Sequence, residues 1–364
     1  MAPVTPKCSQ VIAPIMGRRL LAPSPRRALS SSAVAACETP DKSASTTSAG
    51  LPPPISRRSF HHMAATAATS KTRGGGDGGA SRRLFSTTAR NLSANSTVRG
   101  PTGMLPEFSL KDKVIVVSGG AQGLGLVQTE ALLEAGALVH VFDRQPEPGP
   151  GSKYAAVAAR AVTELATPLT YHRVDVRDGV EELNAIARDI ADQRGGRLDG
   201  LIAAAGIQQE TPALDYSAVD SDRMLSVNVT GSLMTAQAVA RQMVRLNRPG
   251  SIALIASMSG SVANRGVYNA SKAAVLQLGR NLAAEWGQHG IRVNTISPGY
   301  IVTDMVRALF EQFPEREAEW PRQNMLGKLS RPEDYRGAAV FLLSDASRFM
   351  TGADLRIDGG HSAW

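Results

Sequence analysis

The sequence predicts a single doubly wound α/β domain built on a parallel sheet, carried by residues 108–364 and preceded by a disordered leader. Three observations lead there. Short unbroken apolar runs alternate with helical patterns over about 250 residues, which is the signature of strands buried on both faces and linked by crossover helices. A glycine-rich turn joins the first such run to the first helical pattern. Composition changes abruptly near residue 100.

Residues 1–100 hold fourteen Lys/Arg against three acids, Glu38, Asp41 and Asp77, while the whole chain carries +8. The remainder is therefore net acidic by about three charges. A basic balance ordinarily points to nucleic acid or an anionic membrane. Here the charge is scattered through a Ser-, Ala-, Gly- and Pro-rich segment that cannot bury enough apolar area to offset chain entropy. No nucleic-acid or membrane partner is expected. Arg-rich, Ser-rich, acid-poor composition is that of a transit peptide. The stretch Arg82-Arg83-Leu84-Phe85-Ser86-Thr87-Thr88-Ala89 resembles a matrix-peptidase site. A mitochondrial matrix location is expected, with a cytoplasmic protein bearing an unaddressed extension as the alternative. Retention of the leader as an RNA- or membrane-binding arm is a third reading. Both cysteines, Cys8 and Cys37, lie in the leader, so the rest has no disulfide and no Cys-ligated metal. No metal is expected. No apolar run reaches the roughly 18 residues of a spanning helix.

Val114 to Ser118 reads as the first strand and Leu138 to Asp143 as the second, with a glycine turn and a helix between them. Further strands are expected at 169–174, 200–204, 250–257, 291–297 and 354–357. Helical patterns lie around 180–194, 221–245, 271–288 and 332–343.

The turn Ser118-Gly119-Gly120-Ala121-Gln122-Gly123-Leu124-Gly125 follows a strand and opens a helix. Glycines there permit a tight turn, close approach to a pyrophosphate, and close helix packing. The helix N-terminus offers free N–H groups to the phosphates. Asp143, at the end of the second strand, can accept bonds from both ribose hydroxyls and repels a 2′-phosphate. That favours NAD; Arg144 beside it would favour NADP if it turned inward. Asp175, in Val174-Asp175-Val176, can meet the adenine amino group or simply close a turn.

Tyr268 and Lys272 stand four residues apart and share one helix face. A cation one turn away lowers a phenol toward the range where it transfers protons near neutral pH. Ser257 lies eleven residues earlier, at the end of an expected strand, where it can hydrogen-bond a reacting oxygen.

From about Leu110 to Trp364 the chain resembles the short-chain dehydrogenase/reductase family, which has a Rossmann fold. The resemblance rests on Gly119, Gly123 and Gly125, on Asn228 in Ser226-Val227-Asn228-Val229-Thr230-Gly231, on Ser257, Tyr268 and Lys272, and on Ser297-Pro298-Gly299 with Thr303. It implies a catalytic tetrad of Asn228, Ser257, Tyr268 and Lys272, in which Asn228 holds a water leading to the lysine. It implies a cofactor site of Gly119, Gln122, Gly123, Leu124, Gly125, Asp143, Asp175, Val176, Tyr268, Lys272, Pro298, Gly299 and Thr303. A homotetramer is implied through the two long helices and the C-terminal strand, with Trp364 in that interface. Two departures stand out. Ala203-Ala204-Ala205-Gly206 replaces the family's Asn-Asn-Ala-Gly and should cost hydrogen bonds between strands; the loop from Ser257 to Tyr268 is short.

The strings around Ser257 and Thr303 resemble fungal polyol dehydrogenases and ketose reductases acting on arabinitol, mannitol or sorbose. The expected substrate is a small alcohol or ketone, with Gln208, Gln209, Asn264 and Tyr300 as hydroxyl-binding groups or as plain loop polar residues. The alternative is a mitochondrial 3-oxoacyl-carrier-protein reductase, whose carrier would need a basic patch such as Arg265, Arg307, Arg322 and Arg331. A non-catalytic member of the same fold is disfavoured by the intact Ser257, Tyr268 and Lys272.

Overall fold

The computed structural model describes residues 105–263 and 266–363. The expected leader lies outside the described residues, as do Asn264, Arg265 and Trp364. The expected doubly wound architecture is present. Seven parallel strands are β1 (Val114–Ser118), β2 (Leu138–Asp143), β3 (Leu169–Arg173), β4 (Gly200–Ala203), β5 (Gly250–Ile255), β6 (Ile291–Pro298) and β7 (Asp354–Ile357). They form one sheet in the order β3-β2-β1-β4-β5-β6-β7. The order reverses between β1 and β4, the switch point at whose carboxyl side α/β sheets bind ligands.

The helices are α1 (Gly123–Glu134), α2 (Lys153–Arg160), α3 (Val180–Gln193), α4 (Ala218–Leu225), α5 (Ser232–Arg245), α6 (Gly266–Trp286), α7 (Asp304–Gln312), α8 (Glu315–Arg322) and α9 (Arg336–Leu343). All five residues of β1 are buried. Val114 and Val116 join one core with Leu183 and Ile190 of α3, Met243 of α5 and Val275 of α6. Ile115 and Val117 join the other with Leu132 of α1, Val157 of α2 and Leu342 of α9. Alternate residues of one strand thus enter opposite layers, which is why the strand reads as unbroken apolar sequence.

Asp199 fastens β1 to β4. Its carboxylate Oδ2 accepts the Val114 N–H at 2.8 Å, and its own N–H donates to the Val114 carbonyl at 2.8 Å. Arg197 pairs with the same carboxylate. No described helix is long and apolar enough to cross a membrane.

Three helices are absent from the sequence expectation. α2 is only eight residues long and starts at Ser152, whose Oγ caps the Ala155 N–H. α7 is capped in the same way by Thr303. α8 has Pro314 before it and Pro321 within it, punctuation that reads as loop. The long helix expected from residue 221 begins at Ala218, and a wider π turn over Ser226–Gly231 interrupts it before α5. Such turns recur at functional sites because they redirect side chains and free a backbone group. β5 ends at Ile255, two residues short of the expected strand end, so Ser257 sits in the turn that follows.

The β1–α1 turn is tight for a visible reason. Gly119 has φ +67°, and a Cβ there would lie 2.8 Å from the Ala205 Cα. A Cβ on Gly125 would overlap the Gly119 carbonyl. Gly125→Ala is therefore expected to overpack the turn by about 1–3 kcal/mol. Thermal unfolding should fall by roughly 3–10 °C for a domain of this size, with cofactor affinity falling too; an unshifted transition would contradict the close approach.

Candidate active site

The carboxyl edge of the sheet gathers the turns after β1, β4, β5 and β6 around a cavity of about 690 Å³. Leu124, Ser257, Tyr268, Lys272, Pro298, Gly299 and Thr303 all line it. Gly119, Gln122, Gly123, Gly125, Asp143, Asp175, Val176 and Asn228 lie outside its lining.

Lys272 comes from the second turn of α6 and is almost wholly buried. Its Nζ donates to the Ile255 carbonyl at 2.9 Å and stands 5.9 Å from the centre of the Tyr268 ring. Burial disfavours the charged amine and pushes its pKa down to about 8. Ser257 caps the short turn after β5, its Oγ accepting the Ser259 N–H at 3.1 Å. The hydroxyl proton stays available for an oxygen in the cavity.

Asn228 sits in the π turn, fully buried. Its Oδ1 accepts the Ile207 N–H at 2.9 Å and its Nδ2 donates to the Ile207 carbonyl at 3.0 Å. Nδ2 also lies 3.0 Å from Ser271 Oγ, which donates in turn to the Tyr268 carbonyl at 2.7 Å. The Asn228 side chain thus holds the loop after β4 and the start of α6. A Cβ on Gly206 would lie 3.4 Å from Asn228 Oδ1 and 3.6 Å from Lys272 Nζ, so both groups border one small space.

The loop after β4, where alanines replace the family asparagines, is bonded to the end of β1. Ser118 Oγ accepts the Ala205 N–H at 3.3 Å, and the Ser118 carbonyl accepts the Ala204 N–H at 3.1 Å.

The cofactor end suits a dinucleotide. The N-cap of α1, Gln122, makes no side-chain cap, and the first turn holds no acidic residue. The first amides of the helix have no intrahelical partner and favour an anion. Asp143 is buried at the end of β2, its Oδ1 accepting the Gln145 N–H at 3.3 Å. Asp175 binds Arg177 through that residue's N–H and guanidinium, at 3.0 and 2.6 Å, which holds its carboxyl below the usual carboxylate range; Arg144 adds to the effect. These bonds are those of a turn aspartate. Val176 is buried. Thr303 Oγ1 caps α7 by accepting the Val306 N–H at 3.3 Å.

Of the expected substrate groups, Gln208 and Tyr300 line the cavity; Gln209 does not, and bonds Thr211 instead. Asn264 lies outside the described residues. Arg307, Arg322 and Arg331 are exposed and do not line the cavity, and Arg265 lies outside the described residues, so the carrier-binding patch has no described residue at the lining. Sequence reasoning missed Glu210, Gln312, Phe313, Arg316 and Trp320, which form the distal wall. Four of them belong to α7, α8 and the turn between, where proline punctuation hid the helices; an aromatic beside an Arg in Phe313 to Trp320 is the signal that was present.

Lys272 gives a pH test. Its folded pKa lies below the ordinary lysine value of 10.5. Between about pH 8 and 10.5 the unfolded chain binds more protons at this site, so its share of stability rises with pH across that window. Below about pH 8 the cost of burying the charge is fully present. In the cofactor-free protein, the stability of wild type minus that of Lys272→Met should grow from pH 8 to 10 in urea unfolding; a constant difference would show the amine is not burdened by burial.

The family described as enoyl-(acyl carrier protein) reductase matches residues 119–362. A short-chain dehydrogenase/reductase notP′ of Aspergillus versicolor is 40% identical over 71% of this chain and 89% of its own length. The galactitol 2-dehydrogenase of Rhizobium johnstonii is 40% identical over 71% of this chain and 98% of its own. A gluconate 5-dehydrogenase structure from Burkholderia cenocepacia, in complex with NADP and tartrate, is 31% identical with a TM-score of 0.63, covering 71% of this chain and 98% of that one. With the glycine turn, Ser257, Tyr268 and Lys272 at one sheet edge, these matches identify the chain as a member of the short-chain dehydrogenase/reductase family, an NAD(P)-dependent oxidoreductase of CH–OH groups.

Proposed function

We propose that the domain interconverts a secondary hydroxyl of a polyol and the ketone of the matching ketose, with NAD as its cofactor. The observation that carries this reading is the cavity itself: Ser257 and Tyr268 meet a wall that mixes Gln208, Glu210, Gln312 and Arg316 with Tyr300 and Trp320. Amides and charged groups suit hydroxyls, and aromatic faces suit the C–H faces of a sugar chain. The galactitol 2-dehydrogenase relative acts on a substrate of this kind.

Ser257 orients the substrate oxygen with the proton its own Oγ does not need for Ser259. In oxidation Tyr268 takes the hydroxyl proton, and in reduction it returns one to the ketone oxygen. Lys272, charged below about pH 8, favours the tyrosinate. Asn228 ties the β4 loop to the start of α6 through Ile207 and Ser271, whose hydroxyl holds the Tyr268 carbonyl, and would organise a relay water leading to Lys272. The first amides of α1, with Gly119, Gln122, Gly123, Leu124 and Gly125, would hold the pyrophosphate, Asp143 the adenosine ribose, and Asp175 and Val176 the adenine. Lys272 would hold the nicotinamide ribose, and Pro298, Gly299 and Thr303 the nicotinamide end. When bound, the nicotinamide supplies the hydride exchange at the carbon bearing the oxygen.

The buried Asp143 carboxylate supports NAD because a 2′-phosphate beside it would be repelled. Arg144 is exposed and near Asp175, which keeps NADP as the second reading. The absorbance of the reduced nicotinamide, followed with NAD and NADP on pentitols, hexitols, ketoses and a β-ketoacyl thioester, tests both points. Polyol turnover with NAD is expected, with Tyr268→Phe losing at least about a hundredfold in kcat while keeping cofactor affinity. Activity confined to the thioester would move the assignment to the acyl-carrier alternative, and preference for NADP would assign the decisive role to Arg144.

Independently of the substrate, we propose a mitochondrial matrix location after removal of the leader, with the cytoplasm as the alternative, and a homotetramer. The leader's composition and the family resemblance support it. Intact mass of protein from its native source, with light scattering, decides both; a retained residue 1 would sink the matrix address, and a monomer the assembly.

A further inference from the structure

Two recesses meet at one wall. The inner one is the cavity that holds Ser257, Tyr268 and Lys272. The outer one has a volume of about 390 Å³ and is lined by Thr211, Pro212 and Gln323 among others. Glu210, Tyr300, Arg316 and Trp320 line both. They are therefore the partition between them.

The partition is well built. Arg316 Nη1 donates to Glu210 Oε2 at 3.0 Å, joining α8 to the loop after β4, 106 residues away in sequence. The guanidinium lies 4.3 Å from the centre of the Phe313 ring and 5.8 Å from that of Trp320. Tyr300 stacks on Trp320 with centroids 4.3 Å apart and planes 14° from parallel, and Phe310 meets the same indole edge-on at 5.4 Å. An aromatic base thus fixes the arginine plane, and the arginine fixes the carboxylate. Side chains this constrained lose little entropy on binding and present a defined edge. Both charged groups remain partly exposed, so neither is locked away from a ligand.

We propose that the Glu210–Arg316 pair is the specificity-determining stop for substrate length. This rests on the polyol reading above. A short linear polyol reaches the pair with its far hydroxyls, which the carboxylate accepts and the guanidinium donates to. A substrate too long for the inner cavity must displace the pair and continue into the outer recess. Nothing in the chemistry at Tyr268 changes; the pair acts on which molecule reaches it.

The test is the ratio of kcat/KM for a disaccharide alcohol to that for a hexitol, in wild type, Arg316→Ala and Glu210→Ala. A second arm compares a long-chain with a short-chain 2-ketone in the same three proteins. Loss of either partner should raise the long-to-short ratio by about tenfold or more, in line with what one pocket contact discriminates. KM for the hexitol should rise while its kcat stays within a few-fold. Cofactor affinity should be unchanged in both variants. Glu210 lies on a loop, so its variant keeps the test open if Arg316→Ala folds poorly. An unchanged ratio in folded, cofactor-binding variants overturns the proposal. If the proteins turn over ketones but no polyol, the polyol reading fails, and the ketone ratio still decides whether the pair limits length.

Discussion

The side-chain amide of Asn228 joins three segments, its own π turn, the loop after β4 and the start of α6. Its oxygen and nitrogen take both backbone groups of Ile207, and its nitrogen reaches Ser271, which holds the carbonyl of Tyr268. The amide is fully buried, so losing any of these bonds leaves a polar group without water. The π turn at residues 226–231 places it where a regular helix would not. A chain of hydrogen bonds thus ties the tyrosine's backbone to the β4 loop, beside the packing of α6 on the core.

Lys272 shows the opposite balance. An amine buried behind the cavity costs stability while charged, and the fold accepts that cost beside the group it must influence. One carbonyl, that of Ile255, receives it. Activity near neutral pH and stability near neutral pH therefore pull in different directions at this residue.

Much of this was legible in the sequence. The central strands announce themselves because burial on both faces favours apolar runs, so Val114 to Ser118 and Leu138 to Asp143 have the bounds expected. The glycine turn, Ser257, Tyr268 and Lys272 were legible because their types and order are chemically constrained. The distal wall was not. α8 carries prolines at its start and within it, and its role depends on contacts with Tyr300 and Glu210, which are distant in sequence. The bond from the β4 loop to Ser118 was hidden for the same reason: a serine at a strand end says nothing of the loop 87 residues on that it will bond. The bonds of Asp175 to Arg177 are local, two residues apart, and the sequence reading left that residue open between a turn and the adenine.

The joint between β1 and β4 has a consequence in time. Asp199 and Val114 are 85 residues apart, yet they close the middle of the sheet. At a synthesis rate of some tens of residues in a few seconds, on the order of ten seconds separates their emergence from the ribosome. Until then β1 is the inner edge of a three-stranded fragment, apolar on both faces and with an unpaired row of backbone groups. The half of the molecule that carries the glycine turn therefore waits, sticky and incomplete, for a partner not yet made, and chaperone demand during synthesis should concentrate in that interval.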